Sequence, residues 1–589
     1  MEKKLMSGNE AIAYGAYLGR VRVAAAYPGT PSPEILENLV TYPGVYAEWA
    51  PNEKVAVDVA AGAAYAGRRA LAAMKHVGLN VAADSLFYTS YTGMQAGLVI
   101  ITCDDPAMHS SQNEQDNRHY ARFAKVPMLE PSYSEEAKQF TKLAFDISEA
   151  FDTPVLVRST TRISHSESIV QMEEPPSPTW EELPPYKRDP VKYVMVPANA
   201  RRRHPIIEER LGKLAAYFEG LDINRIEMGD PALGIVTSGV SYQHAREVFP
   251  EASFLKLGTV WPLPVNKIRE FASRVKRVVV IEELDPFLEE QLRLIGVECT
   301  GKKIFPILGE FNSGLVRDCA RRGGLIAGEA AQEAAATAPS PPLAAELPPR
   351  PPMLCPGCAH RGMFYVLQHY KAVVLGDIGC YTLGAAPPLL ALHTCGCMGA
   401  SIGVAHGVDK AGCKDRKVAV IGDSTFFHAG IPPLIDVVYN KGATTVIVLD
   451  NRITAMTGHQ DHPGSGRTLA KEPTVDIKIE DVARAVGFQK VDVVDPLDFK
   501  ATRAIVKEHL ESNEPSLIVA RHPCVLYARE FKKPYQIDPE KCNDCGICRR
   551  IGCAPLIRAD GKMAIDQLLC IGCGFCAQIC GRKAITQVA

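Results

Sequence analysis

The sequence predicts a multidomain α/β protein that ends in a small cysteine-rich α+β domain. Three observations carry this. Short apolar runs alternate with Ala-rich helical stretches up to about residue 530, and an Ala- and Pro-rich segment at 331–353 lacks apolar periodicity. Eight cysteines then fall in two runs after residue 540.

At 589 residues the chain has room for about four domains by the rough 150-residue rule. A first α/β domain is expected over 1–190, with the strand-like run Leu98–Thr102, a helical stretch from Glu53 to Met74, and a Pro-rich boundary at 175–190. A second α/β unit is expected over 195–330 from the strand-like runs Leu233–Thr237 and Arg277–Ile281. Residues 331–353 read as a linker, 354–530 as a third α/β domain and 535–589 as the cysteine-rich tail. The tail is too short for much apolar core, so bound metal would hold it together.

Composition excludes several classes. Net charge is −2 with no basic block to track nucleic acid, and no apolar run reaches the roughly 20 residues that span a bilayer. The N-terminus turns polar too early for a signal peptide. With 18 cysteines, this points to a reducing, cytoplasmic setting in which the thiols bind metal.

The tail cysteines are the strongest motif. Cys542, Cys545 and Cys548 precede Cys553, and Cys570, Cys573 and Cys576 precede Cys580. Three thiols at two-residue gaps wrap three corners of a 4Fe–4S cubane, and the fourth comes from the other run. Cys542, Cys545, Cys548 and Cys580 therefore form one expected set, and Cys570, Cys573, Cys576 and Cys553 the other. Four residues separate Cys548 from Cys553 and Gly581 follows the last cysteine, so a labile iron in one cluster stays open.

The second motif lies upstream. Lys417–Ile421 reads as a buried strand ending in Gly422, Asp423 and Ser424, and Thr445–Leu449 as the next strand, ending in Asp450 and Asn451. A right-handed βαβ unit brings Asp423 and Asn451 to one strand edge, where a carboxylate and an amide oxygen suit Mg²⁺. An ordinary Gly-Asp turn is the alternative.

Gly422-Asp423-Ser424 followed by Asn451 resembles the thiamine diphosphate motif, with Ser424 in place of the usual second Gly. The resemblance implies that Asp423, Asn451 and the Ile453 carbonyl bind Mg²⁺, and that Met398, before Gly399, is the apolar wedge under the cofactor. The whole chain resembles the thiamine-dependent 2-oxoacid:ferredoxin oxidoreductase family, in the order pyrimidine-binding (Pyr) domain, transketolase-C-like domain, diphosphate-binding (PP) domain and ferredoxin-like tail. This order, with Met74–Asn80, Ser110–Asp116 and Gly376–Tyr381, is most similar to the large subunits of its indolepyruvate branch. In that family Glu53, opening a Glu-x-x-Ala helix, would bond the aminopyrimidine, with Glu48 as fallback. Thr30 would contact the keto acid. Arg118, in a polar loop past a strand end, suits either a substrate carboxylate or a solvated surface. Cys355, Cys358, Cys380 and Cys524 resemble a proximal 4Fe–4S site, with structural zinc as the alternative.

The resemblance implies oxidative decarboxylation of aryl pyruvates to arylacetyl-CoA and CO₂, with electrons leaving through iron–sulfur clusters to ferredoxin. The same chemistry on another 2-oxoacid and non-oxidative decarboxylation are the alternatives. It further implies coenzyme A, a smaller partner subunit and a dimer of heterodimers.

Overall fold

Runs such as Leu98–Asp104 are buried throughout because parallel strands are covered on both faces. A computed structural model describes residues 2–183, 188–326 and 352–588, so the expected linker lies outside the described residues up to 351. The chain divides into two compact units, Met1–Ala345 and Glu346–Ala589.

The first unit holds a seven-stranded sheet in the order Thr259–Trp261, Met128–Leu129, Val155–Thr160, Leu98–Asp104, Ala70–Lys75, Val23–Ala26, Tyr46–Trp49. All neighbours are parallel except the Thr259–Trp261 edge strand. A four-stranded sheet follows, from Val278–Ile281 through Asp230–Ser238 and Ala252–Leu257 to Arg225–Glu227. Thr259–Trp261 follows a strand of the smaller sheet but pairs into the larger one, and one apolar core runs through both. The helix expected over 53–74 ends at Tyr65. Gly67 turns the chain at φ +93°, and Ala70–Lys75 is an interior strand. Small alanines fit where helices cover both sheet faces, so tertiary context overrides their helix propensity.

The second unit is built on a six-stranded parallel sheet in the order Thr394–Cys395, Val373–Gly376, Lys417–Gly422, Thr445–Asp450, Ser516–Arg521, Lys490–Val494. Alternation along Lys417–Gly422 sends Val418 and Val420 to one core and Ala419 and Ile421 to the other. The tail adds two antiparallel ribbons, Tyr535–Ile537 with Ile585–Gln587 and Leu556–Ala559 with Lys562–Ile565. Among its described residues the buried core is small, with Ile551, Leu556, Phe575, Cys576 and Ile585 in one cluster and Met563 and Ala584 also buried. It leans on the α/β part, where Phe575 meets Tyr365 and Phe499 edge-on and Gln578 bonds the backbone of Leu497 and Phe499.

Candidate functional site

In the second unit, Lys417–Gly422 and Thr445–Asp450 pair in parallel, which puts Asp423 and Asn451 at their carboxyl ends. Asp423 is buried. Its Oδ1 accepts the Ser424 N–H (2.8 Å), while Oδ2 accepts the Arg452 N–H (2.7 Å) and lies 3.1 Å from His462 Nε2. Burial alone would raise this carboxyl, but His462 and the two N–H groups outweigh it and hold it below the usual range. Asn451 Oδ1 accepts the Ile453 N–H at 3.2 Å, and Ser424 Oγ lies 2.9 Å from the Thr454 hydroxyl. Among the described residues no Lys or Arg side chain pairs with Asp423. A buried carboxylate beside an amide oxygen and a backbone carbonyl is an all-oxygen donor set, and it fits a hard divalent cation.

Met398 is half-buried just before the helix Ala400–Lys410. Gly399 starts that helix at φ +86°, and a Cβ there would lie 2.7 Å from the Ala429 carbonyl oxygen, so the turn demands glycine. Asp377, at the end of Val373–Gly376, ties this loop to the Cys380 turn. Its carboxylate accepts the Ser401 N–H (3.2 Å) and the Tyr381 hydroxyl, and burial pushes it up to about 6. The sequence reading gave Asp377, Tyr381 and His462 no role. Asp377 and Tyr381 carry a signal, their place in the Gly376–Tyr381 motif, and His462 carries none.

Cys355, Cys358, Cys380 and Cys524 converge beside this edge. Burial pushes Cys358 up to about 12, with Cys355 and Cys380 adding to it. Burial likewise pushes Cys380 to about 11, with Cys524, Cys355 and Asp423 adding to it. The Asn451 carbonyl accepts the Cys524 N–H at 2.9 Å. Tetrahedral zinc with Zn–S of about 2.3 Å would draw four sulfurs to roughly 3.8 Å of one another. Among the described residues the one group of three or more such ligands within 4.8 Å is Asp116, His119 and Asp285.

In the tail, Cys542, Cys545, Cys548 and Cys580 line one cavity of about 400 Å³. Cys553, Cys570, Cys573 and Cys576 line a tighter one of about 30 Å³. These are the two crossed sets expected from spacing, and soft thiolates arranged so fit iron–sulfur clusters. The Cys553 set is the inner one. Gly357 and the Cys553 thiol line the same cavity, and a Cβ on Gly357 would meet Ile571 Cδ1 at 2.1 Å. The Cys542 set is the outer one, with Cys545 exposed.

The first unit gathers its own residues at the carboxyl ends of parallel strands. Thr30 follows Val23–Ala26, and Glu53 follows Tyr46–Trp49 as the first residue of the helix Glu53–Tyr65, capped by Asn52. Glu53 is buried with its carboxylate against Gly78, and Gly29 packs on the Lys75 side chain. Burial lowers Lys75, with Asp105 and Glu53 opposing, and its ammonium donates to the Ser110 carbonyl at 3.1 Å.

Arg118 requires a correction. It is 1% exposed, so the surface-loop alternative falls as well. Its Nε donates to Asp116 (2.9 Å), Nη1 to Glu282 (2.6 Å), and Nη2 to Asp116 (2.5 Å) and the carbonyls of Glu283 and Asp285. A guanidinium so engaged has no fork left for a substrate carboxylate.

An oxygen-donor edge beside one four-thiol set, with two further sets in the tail, defines a thiamine-diphosphate oxidoreductase that passes electrons through iron–sulfur clusters. Three family models agree with this class. The thiamine pyrophosphate enzyme C-terminal TPP-binding domain matches residues 377–520. The pyruvate flavodoxin/ferredoxin oxidoreductase thiamine-diphosphate-binding domain matches 14–217, and the 4Fe–4S binding domain matches 563–586. The indolepyruvate oxidoreductase subunit IorA of Archaeoglobus fulgidus is 42% identical over 99% of this chain and 97% of its own. Those of Pyrococcus horikoshii (42%; 100% and 97%) and Methanothermobacter thermautotrophicus (40%; 99% and 97%) are similarly close. The chain belongs to the family of indolepyruvate oxidoreductase subunits IorA, and it is a 2-oxoacid:ferredoxin oxidoreductase. Among the described residues no helix is long and apolar enough to cross a membrane.

Proposed function

We propose that this chain is the large subunit of an enzyme that decarboxylates aryl pyruvates oxidatively to arylacetyl-CoA and CO₂. The relatives' names carry the substrate class, and the word subunit implies a partner chain, which we take to be a smaller one. A dimer of such pairs working in the cytoplasm is the assembly we adopt. One observation favours the oxidative reaction over simple decarboxylation. The carbonyl of Asn451, the residue proposed to hold Mg²⁺, accepts the N–H of Cys524 at 2.9 Å, which supports reading the Cys524 thiol set as an electron acceptor beside the diphosphate edge.

Asp423, Asn451 and the Ile453 carbonyl would hold Mg²⁺ against the diphosphate, near Gly422 and Ser424, and Met398 would support the cofactor from below. When bound, thiamine diphosphate supplies the carbon nucleophile and the electron sink for loss of CO₂. Glu53 would hydrogen-bond the aminopyrimidine, a role its burial at a helix N-terminus suits. Thr30 contacts the keto acid. With Arg118 engaged elsewhere, Lys75 is the cation at the same strand edge and takes the substrate carboxylate. The four thiols at Cys355, Cys358, Cys380 and Cys524 would hold a third cluster, nearest the diphosphate edge.

The test is anaerobic reduction of the two-subunit enzyme, followed by cluster absorbance and EPR. Indolepyruvate is added with and without coenzyme A, and pyruvate serves as control. Bleaching by indolepyruvate, with CO₂ released and thioester formed when coenzyme A is present, is the expected result. Aldehyde and CO₂ with the clusters left oxidised would overturn it.

A further inference from the structure

Arg361 is the second residue of the helix His360–His369, and it is 4% exposed. Its guanidinium reaches two segments almost 200 residues apart. On one side Nε donates to the Cys355 carbonyl (3.2 Å) and Nη2 to that of Leu354. On the other, Nη1 donates to the carbonyls of Ile551 (3.1 Å) and Gly552, immediately before Cys553. Among the described residues no carboxylate pairs with it. Leaving a guanidinium in the interior with only carbonyl partners is expensive unless other negative charge is close. Thiolate sets lie on both sides, and the Arg361 charge acts on both Cys358 and Cys553.

The backbone around it is shaped for close approach. Gly552 turns at φ +66°, and a Cβ there would stand 3.1 Å from Arg361 Nη1. Gly357 touches Ile571 of the tail. The tail's own core is small, so this clamp adds to the few contacts that fix the spacing between the two thiol sets.

We propose that Arg361 is a positioning residue for electron transfer, clamping the Cys355–Cys358 loop to the inner tail set and placing one fixed positive charge between them. The step it serves is the crossing of one electron: no bond forms or breaks, one set loses an electron and the other gains it. Net charge and hydrogen bonding near a cluster set its reduction potential, so a cation at this point favours the reduced form on both sides. Arg361 is not among the charges that act on Cys548 of the outer Cys542 set, and that set is the internal control. The inference rests on reading both neighbouring thiol sets as cluster sites.

The experiment uses the anaerobically loaded two-subunit enzyme with Arg361→Met and Arg361→Lys, read by iron and zinc content and by EPR-monitored redox titration. Arg361→Met with full iron is expected to lower the midpoints of two clusters by at least tenfold in the reduction equilibrium, about 59 mV for a one-electron couple, and to leave the third in place. Arg361→Lys keeps the charge but not the fork. It is expected to hold both midpoints while weakening the magnetic interaction between the two clusters in the fully reduced enzyme. Unchanged midpoints in Arg361→Met, or an equal shift in all three clusters, would overturn the proposal. If Arg361→Met fails to load iron, Arg361→Lys decides: an interaction signal like that of the parent refutes the clamp. Zinc in the parent enzyme's Cys355 set would remove the reading beneath the proposal, and metal analysis distinguishes that failure from the other.

Discussion

Replacing Arg118 with Met separates a structural role from substrate binding. The change keeps the volume of the side chain but strips two buried carboxylates, Asp116 and Glu282, of their guanidinium. Asp116 is the more dependent of the two. Burial would raise it, yet Arg118 and its hydrogen bonds hold it well below the usual carboxylate range. Glu282 is raised by burial in spite of Arg118, and it retains the N–H groups of Leu288 and Glu289 at 2.9 and 3.0 Å. Removing one partner of a buried pair costs about 3–5 kcal/mol, against about 0–1 kcal/mol for a surface pair. Urea unfolding of the intact chain should show the midpoint falling with the slope m unchanged. The keto-acid KM of the protein that remains folded should stay near that of the parent. Parent-like unfolding with a KM raised tenfold or more would refute the reasoning and return Arg118 to the substrate.

Three further outcomes follow from the same geometry. Burial pushes Glu283 from 4.5 up to about 7, against the pull of the Phe311 N–H and Arg158. Between those values the unfolded chain has already released a proton that the folded chain keeps. Stability is thus highest below the lower value and falls as pH rises through the higher one, by on the order of 3 kcal/mol. Glu283→Gln should flatten that slope in urea titrations at pH 5 and 8. Gly78→Ala would set a Cβ 2.6 Å from Glu53 Oε1 and push that carboxylate aside. A kcat loss on the order of 10²-fold with unchanged cluster content is expected, and full turnover would count against Glu53. Asp423→Asn keeps the shape but loses the charge offered to the cation, so desalted enzyme should lack thiamine and Mg²⁺ while keeping its iron. Retained thiamine would place the diphosphate elsewhere.

Much of this molecule was written in local sequence. The tail spacing predicts two crossed sets, because short gaps leave one run little reach to wrap a whole cubane, and the fold groups the thiols in the same way around two cavities. The edge carrying Asp423 and Asn451 was legible because a βαβ unit has one handedness. Arg118 was misread because sequence neighbours show only a polar loop, whereas Glu282 arrives from 164 residues away. The strand Ala70–Lys75 was hidden in an alanine run whose local preference is helical, and sheet position decided it. His462 meets Asp423 across 39 residues, and Arg361 meets Gly552 across 191. The sequence by itself determined which chemistries the chain carries, since ligand type and spacing are local. Only the tertiary structure decided which charges are committed to one another and how the thiol sets are ordered, because burial and long-range hydrogen bonds exist only after the chain has folded.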